Sequence, residues 1–229
     1  MKLTYIIPAR SGSIEIESKN IKLYNGQPLI YWTIIQALES CKEYPGNVVV
    51  STDCPKIAEM AKEYGANVPY LRPYNISQTL SRDYDFFLYH LNWEKSNMTD
   101  VFVQLRPTYP NRKISDIVSA IKLFIDNYHC DSLRSVVKLA DKYPFKSYYK
   151  SNGQLIPISP EEVNGIEHPY NACRQELPDC YKHNGNIDIV KTKTILEYEN
   201  VTGKNILPFI QNHCYDIDTL EDWIFCEKA

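Results

Sequence analysis

Leu3-Thr4-Tyr5-Ile6-Ile7-Pro8-Ala9-Arg10-Ser11-Gly12-Ser13 begins as a short apolar run and ends in a small, polar, cation-flanked loop that leads on to Lys19-Asn20. The apolar run has the length of a buried strand, and a strand feeding such a loop is a common way to build a nucleotide-phosphate site. Gly12 and the small Ser11 and Ser13 let main-chain N–H groups approach an anion, while Arg10 and Lys19 supply the charge that amides lack. The loop matches neither the Walker A pattern nor G-x-G-x-x-G, so on its own it also reads as ordinary turn chemistry.

Outward from this strand, strand and helix signals alternate, which predicts an α/β fold: a Rossmann-like, mostly parallel sheet flanked by helices. Residues 47–51, 68–71 and 100–105 read as further strands. Pro28 opens a helix carrying Ile30, Ile34, Ala37 and Leu38, and Pro55 opens another that Gly65 stops. The clearest helix covers 113–126, with Ile114, Ile117, Val118, Ile121, Phe124 and Ile125 as its apolar stripe. Five prolines between 144 and 178 exclude a long helix there. Ser151-Asn152-Gly153 between short apolar runs predicts a hairpin. Residues 1–229 are therefore expected to form a single domain, with 139–180 as a small inserted β-rich arm too short for a core of its own.

Composition narrows the function. At 229 residues with a net charge of -3, the chain has no basic excess or Lys/Arg-rich run for nucleic acid, so a small substrate is expected. No apolar run approaches the length of a membrane span, and no leader is evident. The seven cysteines form no C-x-x-C pair and are expected as reduced thiols of a cytoplasmic protein. The histidines lack metal-ligand spacing. Asp53 stands at a strand end before Pro55, where a helix-terminus role is expected over a metal one.

Asp216-Ile217-Asp218 is the second chemical constellation. In an extended segment residues two apart share a face, so the two carboxylates would converge while Tyr215 and Ile217 pack inward. Two hard oxygen ligands suit Mg²⁺; the alternative is that they solvate a strand end and start the next helix. Thr219-x-x-Asp222 reads as a capping-box-like start.

These stretches together resemble the CMP-sialic acid synthetases (acylneuraminate cytidylyltransferases), which are related to the CMP-Kdo synthetases. The resemblance lies in Ile7-Pro8-Ala9-Arg10-x-Gly12-Ser13 with Ile16-x-x-Lys19-Asn20-Ile21, then Gly26-x-Pro28-Leu29-Ile30 and Ser51-Thr52-Asp53. It continues through Tyr64-Gly65-Ala66-x-Val68-Pro69-x-x-Arg72-Pro73, Pro107-Thr108-x-Pro110-x-Arg112, Arg174-Gln175-x-Leu177-Pro178, Asn184-Gly185 and Asp216-Ile217-Asp218-Thr219-x-x-Asp222. It implies CTP and a small 2-keto-3-deoxy sugar acid as substrates, Mg²⁺ as cofactor, and a homodimer whose contact lies in the 139–180 arm.

The resemblance also implies roles. Ala9, Arg10, Gly12, Ser13, Lys19 and Asn20 would bind the nucleotide, with Asn20 helping to read cytosine. Arg10, Lys19 and Asp218 would be catalytic, and Asp216 and Asp218 would hold the metal. Arg174, Gln175 and Tyr181 become sugar-pocket candidates, Arg174 because a guanidinium fork receives a carboxylate; from the residues alone, Arg174 reads as a surface cation beside Glu176 or Asp179. Three departures stand out. Ile14-Glu15-Ile16-Glu17 replaces the family's Lys-Gly-Ile-Pro, Arg106 replaces a sugar-contacting Gln, and Tyr109 replaces a small Ser. The first points toward weakened catalysis, the other two toward altered substrate choice.

Overall fold

A computed structural model describes residues 1–12, 15–140, 143–212 and 215–228. The expectations placed on Ser13, Ile14, His213 and Cys214 lie outside these residues. The main sheet has six strands: β1 (Leu3–Pro8), β2 (Gly46–Ser51), β3 (Val101–Gln104), β4 (Ser132–Lys138), β5 (Tyr181–Lys191) and β6 (Ile206–Gln211). Their spatial order is β6-β4-β5-β3-β1-β2. β1 runs parallel to both β2 and β3, in registers Leu3 opposite Gly46 and Leu3 opposite Val101, while β5 is antiparallel to β3.

Side-chain alternation along these strands builds two cores. Leu3, Tyr5 and Ile7 of β1 and Val101 and Val103 of β3 face one side of the sheet. They pack there against Ile30, Ile34 and Ala37 of α1 (Leu29–Ser40), Ile57 and Ala61 of α2 (Pro55–Glu63), and Ile117, Ile121 and Phe124 of α4 (Ile114–Asp126). Ile6 and Phe102 face the other side, against Phe86, Phe87 and Leu91 of α3 (Asp83–Glu94) and Ile195 of α5 (Thr192–Tyr198). Each such side chain contributes about 1.5–3 kcal/mol on burial, so a one-residue register slip, which inverts both faces, is excluded.

A third cluster anchors the C-terminal end. Ile16, Tyr24, Leu29, Ile217, Trp223 and Cys226 pack together, which seats α6 (Leu220–Lys228) beside the start of α1. The Cys226 carbonyl accepts hydrogen bonds from Tyr24 Oη (2.6 Å) and Asn111 Nδ2 (2.9 Å). Thr219 and Asp222 form the expected capping box: Asp222 Oδ2 accepts from Thr219 N at 2.8 Å, and Thr219 Oγ1 accepts from Asp222 N at 3.2 Å.

Two sequence expectations are corrected. Residues 68–71 form no strand: Leu71 makes one isolated bridge, to Thr52, and the preceding Asn67 another, to Val49. The Asp216–Asp218 segment is not extended, because Asp218 N donates to Asp216 O (3.2 Å) and folds it into a tight turn. β4 and α5 were not legible in the sequence.

The chain divides into two compact units, one of Met1–Ser135, Asn184–Phe209 and Cys214–Ala229, the other of Val136–His183 and Ile210–His213. β4, β5 and β6 each run from one into the other. The second unit holds the expected hairpin, Tyr148–Ser151 against Gln154–Pro157, turned by Asn152 and Gly153 at φ 48° and 81°. Among the described residues no helix is long and apolar enough to cross a membrane.

Candidate active site

β1 lies between β2 and β3, so the chain leaves it first to one side and then to the other. In an open α/β sheet the crevice at the carboxyl ends of two such strands is where ligands bind. A cleft of about 230 Å³ occupies this place in the first unit. Pro8, Arg10 and Gly12 line it from the end of β1, Arg106, Pro107 and Thr108 from the end of β3. Lys19 and Asn20 add a third wall, and Arg72, Arg82 and Asp83 a fourth. Five cations against one carboxylate make this an anion site.

The loop after β1 is held from behind. Ala9 is fully buried and donates its N–H to Ser51 O (2.9 Å). Asn20 Nδ2 donates to Arg10 O (3.0 Å), closing the loop on itself, and Arg10 Nη1 reaches Thr79 Oγ1 at 3.3 Å. Asp53 receives Ser11 N on one oxygen (2.8 Å) and Ser11 Oγ on the other (2.6 Å). The expected helix-terminus role of Asp53 is thus corrected: Cys54 is the N-cap of α2, and the Asp53 carboxylate serves the loop. Glu15 and Glu17 are exposed on either side of the buried Ile16, and neither lines the cleft.

Arg72, absent from the sequence-based site, is the most buried of the cleft cations. Its side chain lies over Phe86, its N–H donates to Thr52 O (2.7 Å), and its Nε is buried without a hydrogen-bond partner among the described residues. Burial pulls its pKa down, the Asp53 charge pulls it back up, and Arg10 pushes it down again. Two guanidinium groups that repel across a cleft, one with an orphaned donor, call for a polyanion between them. The signal in the sequence was Arg72-Pro73 itself, quoted as a motif but given no chemistry.

Asp216 and Asp218 are not among the residues lining the cleft; the turn that joins them lies beside it, against the lining residues Thr108 and Lys19. Ile217 is fully buried and its N–H donates to Thr108 O (2.9 Å), while Lys19 Nζ donates to Ile217 O (2.8 Å) and pairs with Asp218 Oδ1 (3.0 Å). Tyr215, expected to point inward, is instead half-exposed and stacks on Phe225. Asp216 Oδ1 is buried with no hydrogen-bond partner among the described residues. Burial raises the Asp216 pKa above the usual carboxylate range, the neighbouring Thr108 lowers it, and the Asp218 charge raises it further. The two carboxylates therefore feel each other although no strand aligns them.

Arg106 lines the cleft, but its guanidinium is engaged. Nη1 donates to Asp188 Oδ2 (2.8 Å) and Gly185 O (2.9 Å), and Nη2 to Asp83 Oδ2 (2.7 Å). Burial alone would lower its pKa; Asp188 and Asp83 outweigh that and hold it above the usual arginine value. Asp188 also pairs with Arg134 (2.7 Å). Tyr109 is buried and donates its hydroxyl to Asn184 O. Gly185 sits inside β5 at φ 73°, and a Cβ there would lie 2.9 Å from Arg106 Nη1. Arg106→Ala is therefore expected to cost about 2 kcal/mol of folding stability, because Asp83 and the buried Asp188 each lose a charge-assisted partner while Gln104 and Arg134 remain. Urea denaturation of the variant checks this, and Arg106→Lys should recover little because a point charge cannot span both partners.

Arg174, Gln175 and Tyr181 lie exposed in the second unit and are not among the residues lining the cleft. Among the described residues no group of three or more His, Cys, Asp or Glu side chains is placed to hold a metal.

A cytidylyltransferase family profile matches residues 4–153. The chain belongs to the cytidylyltransferase family. This cytidylyltransferase is 35% identical to the CMP-N,N'-diacetyllegionaminic acid synthase of Legionella pneumophila, over 100% of its own length and 96% of that relative. It is also 35% identical to an N-acylneuraminate cytidylyltransferase of Escherichia coli over 97% of its own length, and spans 50% of that longer protein. Its fold matches that of a CMP:2-keto-3-deoxy-manno-octonic acid synthetase complexed with CTP at TM-score 0.73 and 15% identity, covering 100% of this chain and 98% of the other. The protein is thus a CTP-dependent nucleotidyltransferase of the acylneuraminate cytidylyltransferase type.

Proposed function

We propose that this enzyme transfers CMP from CTP to a nine-carbon 2-keto-3-deoxy sugar acid of the sialic, legionaminic or pseudaminic class and releases pyrophosphate. The observation that carries the reading is the cation-lined cleft at the carboxyl ends of β1 and β3, in a chain whose relatives include legionaminic, N-acylneuraminic and pseudaminic acid enzymes. Arg10, Lys19 and Arg72 neutralise the triphosphate, while Ala9, Gly12, Ser13 and Asn20 shape the nucleotide wall. The anomeric hydroxyl oxygen of the acid attacks the α-phosphorus, the α–β bridging P–O bond breaks, and pyrophosphate leaves. Rate enhancement comes from alignment and from charge neutralisation in a low-dielectric cleft.

The orphaned, buried Asp216 Oδ1 beside the Asp218 carboxylate suits a hard divalent cation. Asp216 and Asp218 would hold Mg²⁺, which when bound supplies charge neutralisation at phosphate oxygens. Lys19 then faces both the nucleotide and Asp218, and its pairing shifts between them.

Arg106 and Tyr109 turn away from an acceptor role, the first onto Asp83 and Asp188, the second onto Asn184. They give no support for an acceptor outside the sugar-acid class. Arg174, with Gln175 and Tyr181, is assigned to the acid's carboxylate on the strength of its motif. Arg174→Lys should raise KM for the acid about tenfold or more and KM for CTP by less than about threefold, since lysine keeps the charge and loses the fork. Steady-state kinetics with each substrate varied is the check, and an equal effect on CTP removes the assignment. A homodimer is the proposed assembly, supported by the exposed Tyr149, Leu155 and Ile158 around the second unit's hairpin.

The test of the whole reading is pyrophosphate release from CTP with sialic, legionaminic, pseudaminic and Kdo-type acids in parallel. Release with one of the nine-carbon acids is expected. Release with none of the four overturns the reading.

A further inference from the structure

The carboxylate of Asp53 lies just behind the anion loop and has no part in the chemistry above. Ser11 offers the first main-chain N–H and hydroxyl after Arg10, two donors that an anion would compete for. Asp53 takes both, one on each oxygen, at 2.8 and 2.6 Å. A carboxylate held by two short donors fixes the direction of the chain it grips. The same stretch supports the opposite wall: Ser51 O accepts from Ala9 N, and Thr52 O accepts from Arg72 N. The Asp53 charge also offsets, for the Arg72 cation, part of the cost of burial and of the nearby Arg10 charge. Asp53 itself is not among the residues lining the cleft.

We propose that Asp53 is a positioning residue of the nucleotide site, setting the anion loop through its two hydrogen bonds from Ser11 without contacting the nucleotide. This rests on the nucleotide reading given above. Asp53 fixes the direction of the main chain at Ser11, next to Arg10 and Gly12, which line the cleft. A polyphosphate then meets donors already aimed, and less of its binding energy goes into ordering the loop.

The experiment titrates CTP and inorganic tripolyphosphate into wild type, Asp53→Asn, Asp53→Glu, Ser11→Ala and the Asp53→Asn/Ser11→Ala double variant by calorimetry, with kinetics alongside. Asp53→Asn should weaken both anions by about 10- to 100-fold, as expected for losing charge-assisted bonds. KM for the acid should move less than about threefold, with no comparable fall in melting temperature. Asp53→Glu should recover part of the loss. Ser11→Ala, at an exposed position that folding does not depend on, should weaken both anions about threefold. The double variant should bind no more weakly than Asp53→Asn, because the hydroxyl acts only through that carboxylate. Near-normal anion affinity in Asp53→Asn, additive losses in the double variant, or equal losses for nucleotide and acid with falling stability would each overturn the proposal. A wild type that binds tripolyphosphate in an Asp53-dependent way but ignores CTP would retire the nucleotide reading and keep this one. Binding of neither anion would retire both.

Discussion

Asp216→Asn is expected to lower kcat/KM by about 10³-fold or more while the metal-free protein unfolds no more easily than its parent. The loss follows from removing one of two hard oxygen ligands, a change worth several kcal/mol of charge stabilisation, at about 1.4 kcal/mol per tenfold. The stability half has the opposite sign to a structural role. Burial raises the Asp216 pKa in the folded state, with the Asp218 charge adding to it, so the folded chain holds this proton more tightly than the unfolded chain. Stability therefore falls as pH rises from the ordinary carboxylate range through the raised value, and above it the cost of the buried charge is present, reduced by Thr108 and Lys19. Asparagine carries no such cost. The variant's melting temperature should match or exceed wild type at neutral pH, and the difference should vanish at acid pH where both side chains are neutral. Melting curves of metal-free proteins between pH 3 and about 8, with pyrophosphate-release assays, decide it. Full turnover, or a variant much less stable at neutral pH, would contradict the assignment.

Arg72→Met should raise KM for CTP about 100-fold and leave KM for the acid within about threefold. Methionine keeps an unbranched apolar stem and removes the guanidinium, with it the cation–π contact of the Arg72 Cζ over Phe86. Two charge-assisted hydrogen bonds to phosphate, at about 1.5–3 kcal/mol each less what water returns, correspond to a change of this size. Arg72→Lys should recover less than half of it on a logarithmic scale, because the orphaned Nε belongs to a planar fork that an ammonium does not reproduce. Kinetics with each substrate varied, paired with CTP titration, is the measurement. Equal effects on both substrates would place Arg72 in the scaffold.

The fold was legible where one residue's partners are supplied by its own element. Tyr5, Ile6 and Ile7 alternate as a buried strand must, and Ile117, Ile121 and Phe124 recur at helical spacing, so β1 and α4 could be drawn from the sequence. β4 could not. Its Arg134 and Ser135 look like loop residues until Asp188 and Asn184, some fifty positions on, complete them. α5 has only 7 residues, too few to show a period. At the site, Arg10, Gly12, Lys19, Asn20 and Thr108 converge on the cleft, as the loop-after-strand reading implies. The acid pair was legible as chemistry but not as geometry, since a hydrogen bond from Asp218 N to Asp216 O replaces the extended segment. Arg72 was given no chemistry and Asp53 was read as a helix-terminus residue for a related reason: each acquires its role from a backbone or hydroxyl group in another segment, which a pattern along one segment does not contain.

The tether between Thr108, Lys19 and Ile217 has a bearing on how the protein is made. Lys19 and Ile217 are 198 positions apart, and the segment carrying Asp216 and Asp218 is pinned by a helix that follows it. A ribosome therefore releases the β1 loop, the arginines and most of the sheet long before the carboxylates emerge. The site thus joins segments from both ends of residues 1–229, and removing α6, whose Trp223 and Cys226 pack with Tyr24, is expected to abolish pyrophosphate release.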